Sequence, residues 1–86
     1  MSLAPQAILH EITGIARVVF DDASLELSPD TTSDDIPSWD SLSHITLVVE
    51  TECHFGIRFE TVEVEELKSV GELIRLIQAK LALVAA

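Results

Sequence analysis

Asp40-Ser41-Leu42 sets a serine between an acid and a bulky apolar residue, and His44 follows one helical turn later. Serine, histidine and aspartate are the residue types of a hydrolase site, in which a base takes the serine proton and a buried acid orients the base. Ser41 and His44 are close enough in sequence to meet, but Asp40 has no evident way to hold the ring and nothing supplies a pocket. A different chemistry needs only an accessible hydroxyl, with the serine as a point of covalent attachment. A phosphate suits such a position, because unpaired amides and the positive dipole end gather at a helix N-terminus. The plain structural reading is that Ser41 caps the helix that follows.

The remaining polar residues carry less. Cys53 and His54, with His10 far away in sequence, lack any recognised zinc-ligand spacing, and Cys53 reads as a buried or half-buried thiol. Asp34 and Asp35 lack the ligand run of a calcium loop and read as solvated loop acids. No residue is assigned a catalytic or metal-binding role, and the chain reads as a non-enzyme.

Ser41 must be positioned by a small molecule. Residues 1–86 suffice for one domain with a single modest core. Apolar residues make up 48% of the chain with three Phe, one Trp and no Tyr, so that core is aliphatic. The net charge of −10 disfavours nucleic acid or an anionic membrane as partner and favours a basic protein. One cysteine excludes an internal disulfide framework. Residues 1–6 lack the basic and apolar regions of a signal peptide, and no apolar run approaches a membrane span. The expectation is a cytoplasmic monomer.

Apolar spacing predicts the elements. Pro5 fits a first helical turn, and Ile8, Leu9, Ile12, Ile15, Ala16 and Val19 recur at three and four residues as far as Phe20. Residues 21–40 read as a long loop, of a length that is usually functional or disordered, pinned by Leu25, Leu27, Ile36 and Trp39. A second helix is predicted from Ser41 to His54, closed by Gly56. Thr61 is expected to cap a short third helix over Val62–Leu67. Ser69 and Glu72 form a capping box for a last helix with Val70, Leu73, Ile74, Ile77, Leu81 and Val84 on its buried stripe. The fold class is all-α: a small four-helix bundle, three main helices plus a short third, with a long loop between the first two.

Two asymmetries single out one face, which reads either as a solvated acidic surface with its apolar strip covered by the short helix or long loop, or as a functional one. Residues 21–66 hold thirteen acids against one base, a formal −12, while the rest of the chain is +2 from four bases and two acids. At about 100° per residue, Leu42, Ile45 and Val49 form one stripe of the second helix. Leu47, Val48, Thr51 and Phe55 form a wider one on the opposite side. A small helical domain buries one such stripe well, and the wider one with Phe55 is the core candidate. Leu42, Ile45 and Val49 are then an apolar strip in an acidic surround, which is how a docking surface looks.

At these residues the chain resembles the acyl carrier protein family. The likeness rests on Asp40-Ser41-Leu42 after a long acidic loop, and on the apolar helix of matching length that follows. It continues through the stretch from Glu52 to Phe59, the acidic short helix, and the closing helix after Ser69-Val70. The resemblance implies that Ser41 carries 4′-phosphopantetheine, added by a separate phosphopantetheinyl transferase, with an acyl or aminoacyl group held as a thioester. It implies that Asp40 and Leu42 guide the transferase, and that Ile45, Val49, Glu52 and Phe59 dock partners or contact the arm. Those partners are acyl-transferring or acyl-activating enzymes with basic docking surfaces. Trp39, Ser43, Thr46 and Cys53 depart from the small residue and acids that many fatty-acid carriers have there. The departures lean toward a free-standing carrier of a dedicated polyketide, modified-lipid or aminoacyl pathway. The competing reading is an unmodified acidic helical interaction module that docks through Leu42, Ile45 and Val49.

Overall fold

Pro5 occupies the first turn of helix α1 (Pro5–Val19), where its missing N–H costs nothing. A computed structural model describes residues 4–37 and 39–85, with backbone alone for 84 and 85. Helices α2 (Ser41–Phe55), α3 (Thr61–Glu65) and α4 (Val70–Ala85) complete the main elements. No strand occurs among the described residues. Ile8, Ile12 and Ala16 of α1 are buried, and α1 packs against both α2 and α4. From α4, Val70, Leu73, Ile74 and Ile77 enter the same core, with Leu81 partly buried at its margin. The side chain of Val84 lies outside the described residues.

The long loop is ordered by contacts that no local pattern announces. Leu27 and Ile36 are buried and Leu25 and Trp39 pack on the core, as expected from their apolar character. A 3-10 turn at Ser33–Asp35, absent from the sequence reading, is closed by the Asp35 carboxylate accepting from the Thr32 amide at 2.9 Å. Arg17 Nε donates to the Leu25 carbonyl at 2.7 Å and ties the first half of the loop to α1. The second half sits on the start of α4, where the amides of Val70 and Gly71 donate to Thr31 O (2.9 Å) and Pro29 O (2.8 Å). First-turn amides have no intrahelical acceptor, so the loop supplies one. A Cβ on Gly71 would stand 2.9 Å from Pro29 O, so the close approach requires glycine.

Helix ends follow the expected chemistry with one correction, at the short helix. Gly56 ends α2 in the left-handed conformation (φ 67°), and Ser69 and Glu72 form the capping box of α4. The short helix begins one residue earlier than predicted and ends two residues sooner. Its N-cap is Glu60 rather than Thr61, and the Glu63 carboxylate accepts from the Glu60 amide at 2.7 Å. The same carboxylate pairs with Lys80 Nζ of α4 at 2.9 Å.

Candidate attachment and docking site

Asp40, not Ser41, is the N-cap of α2. Its carboxylate accepts from the Ser43 amide at 2.8 Å, and that bond, foremost, holds its carboxyl below the ordinary range. Asp and Ser rank alike as caps, so the sequence alone could not choose between them. Ser41 therefore opens the helix at its first position, exposed, with a hydroxyl that makes no hydrogen bond among the described residues.

The two stripes of α2 separate as the helical period predicts. Leu47, Val48 and Thr51 are buried, and Phe55 packs on the core. Thr51 is tolerated there because its hydroxyl donates to Leu47 O at 2.7 Å. On the other side Leu42, Ile45 and Val49 are exposed by 74%, 57% and 47%. Cys53, expected to be half-buried, is exposed, because it falls within roughly 20° of Leu42 on the helical wheel. Glu52 lies about 20° from Ile45 on the same wheel; its carboxylate accepts from the Phe59 amide at 2.8 Å, and Phe59 packs against the core. Both therefore shape the turn after α2.

His44 is not a catalytic base. The indole N–H of Trp39 donates to its Nδ1 at 3.1 Å, and its Nε2 lies 3.4 Å from Val64 O on α3. An indole N–H only donates, so Nδ1 accepts and the neutral ring carries its proton on Nε2. Neither nitrogen is left for Ser41. The Trp39 ring stacks on the imidazole and also meets Phe20 at the end of α1, with centroids 6.1 and 5.6 Å apart. This bridge joins residues 20 positions apart and has no signature in local sequence.

An open groove of about 720 Å³ runs beside Ser41. Trp39, His44, Ile45, Val64, Leu67 and Leu73 line it, with Asp40, Glu65 and Lys68. An exposed, uncommitted hydroxyl at a helix start, beside a largely apolar groove, fits a phosphate-linked flexible arm.

Comparison with known proteins decides what the arm is. The family model described as the phosphopantetheine attachment site matches residues 6–77. The chain belongs to the acyl carrier protein family. It is 34% identical over 77 residues to the acyl carrier protein of Acidothermus cellulolyticus, covering 86% of this chain and 88% of that one. The acyl carrier protein of an Arthrobacter species is 39% identical over 71 residues, covering 81% and 78%. The solution structure of a holo acyl carrier protein from Geobacter metallireducens superposes with a TM-score of 0.85 at 45% identity, covering 91% and 90%. The protein is thus a carrier of covalent 4′-phosphopantetheine and not an enzyme. Its partners are acyl-handling enzymes and a phosphopantetheinyl transferase. No described helix is long and apolar enough to cross a membrane.

Proposed function

We propose that Ser41 is the residue that carries 4′-phosphopantetheine, and that the exposed strip of α2 presents the loaded arm to partner enzymes. The observation behind this is the division of labour at the start of α2: Asp40 caps the helix, so the Ser41 hydroxyl is free to form the phosphodiester. The arm, once attached, supplies a terminal thiol that keeps an acyl carbonyl reactive as a thioester. This chain contributes tethering, which raises the effective concentration of the cargo at each partner, and a surface that partners read. Leu42, Ile45 and Val49 give that surface apolar contact, and Asp40 and the neighbouring acids give it charge for basic enzymes. Glu52 and Phe59 extend the same surface to the turn after α2, where the Glu52 carboxylate holds the Phe59 amide. The thinned acidity at Ser43 and Thr46 favours a dedicated polyketide, modified-lipid or aminoacyl pathway in the cytoplasm over primary fatty-acid synthesis.

Incubation with coenzyme A and a broad-specificity phosphopantetheinyl transferase tests the assignment. Intact mass should rise by one phosphopantetheine, and Ser41→Ala should abolish the gain with helicity unchanged. An adduct that persists in Ser41→Ala would place the arm elsewhere, and no adduct at all would leave the unmodified interaction module as the reading.

A further inference from the structure

The Trp39–His44–Val64 bridge lies outside the attachment chemistry and crosses three elements: the end of the long loop, α2 and α3. The short helix α3 has five residues, far fewer than a helix needs to persist alone in water. Its position therefore depends on tethers. Lys80–Glu63 ties it to α4, and the His44 Nε2 bond to Val64 O ties it to α2. That second tether exists in only one neutral tautomer of His44, and the donor on its other nitrogen selects the tautomer. Trp39 is that donor.

We propose that Trp39 acts through His44 as a positioning residue, fixing the Nε2–H tautomer that holds α3 against α2 and so setting how deep the groove beside Ser41 opens to a tethered cargo. The cargo half rests on the carrier reading; the tether half does not. Asp40 on α2, Glu65 on α3 and Lys68 after it line the same groove, and none of them hydrogen-bonds the imidazole. Protonation makes both ring nitrogens donors. Acid should therefore detach Trp39, whose N–H then faces another donor, while leaving the bond to Val64 in place.

The unmodified chain suffices for the first test. Nitrogen-15 spectra of His44 should show the Nε2–H tautomer; an Nδ1–H ring would overturn the proposal. Trp39→Phe should give a tautomer mixture. In His44→Phe the amides of Val64 and of Glu66, the C-cap of α3, should exchange about fivefold faster, the factor expected from one hydrogen bond of ordinary net strength, and in Trp39→Phe faster by a smaller factor. Exchange at the parent rate in both variants would sink the tether. If either variant fails to fold, the parent still decides. Emission of Trp39, the sole tryptophan, should shift on mild acidification while α3 protection holds, and simultaneous loss of that protection would contradict the scheme. For cargo, carriers loaded with acyl groups of increasing length should reach a plateau in Tm at a shorter chain in the parent than in His44→Phe. Equal plateaus would refute the control of depth, whereas failure to load at all would instead count against Ser41 as the attachment point.

Discussion

The Ser41 hydroxyl is exposed and takes no part in capping because its neighbour caps the helix, and substitutions around it should separate fold from function. Leu42→Ala removes an exposed side chain, so stability should stay within about 0.5 kcal/mol while transferase and partner kinetics worsen. Leu47→Ala, one turn along on the buried side, should cost about 2–5 kcal/mol. Urea titrations of both variants check the contrast; a large loss in Leu42→Ala would show that the strip is core. Charge is best probed at Glu50, which is exposed and has no bonded partner among the described residues. Glu50→Lys should slow association with a basic partner, with the effect shrinking as salt rises. Glu52→Lys would also release the Phe59 amide, so its effect would mix docking with the turn after α2.

At the scale of elements, two glycines make opposite predictions. Gly14 lies within α1 with open space around its Cα, so Gly14→Ala should stabilise by about 0.5–1 kcal/mol through lost unfolded-state entropy. Gly71 also lies in a helix, but an added methyl would press on Pro29 O, and Gly71→Ala should destabilise by about 1–3 kcal/mol. Thermal unfolding of the two variants checks the signs. The contrast also shows what was legible in the sequence. Helices α1, α2 and α4, their buried faces and the exposure of Leu42, Ile45 and Val49 follow from spacing alone, because helical geometry fixes which residues share a side. The cap of α3 was misplaced by one residue, because Thr61 is the stronger cap by type while the Glu63 carboxylate closes the turn at Glu60; at α2 Asp and Ser rank alike, so local pattern left Asp40 and Ser41 both open. The seats of Pro29 on Gly71 and of His44 on Val64 could not be read, because each joins segments that only the folded chain brings together.

The whole molecule carries −10, concentrated in residues 21–66, and self-repulsion among those acids opposes compaction. Raising sodium chloride from about 0.01 M to about 0.15 M should therefore raise Tm, since screening relieves that repulsion; a fall in Tm would mean that attractive pairs dominate. Acid acts differently. Asp22 is held low by Ser24, Asp40 by the Ser43 amide, and Glu63 by the Glu60 amide and then Lys80. A carboxyl whose folded pKa is depressed contributes fully above the ordinary carboxylate range and loses that contribution as pH falls through the depressed value. Stability followed by circular dichroism below about pH 4 should thus decline, and less steeply in Asp40→Asn. The contact of Pro29 and Thr31 with the first turn of α4 has a consequence in time as well as in energy. A growing chain emits its long loop and α2 well before residues 70 and 71 exist to receive those carbonyls. Until α4 leaves the ribosome, Pro29 and Thr31 lack that seat, and the loop is held only by its contacts with α1 and α2. A nascent chain stalled before Val70 should therefore be a poorer substrate for the transferase than the complete chain, and equal modification of the two would show that this seat does not matter to loading.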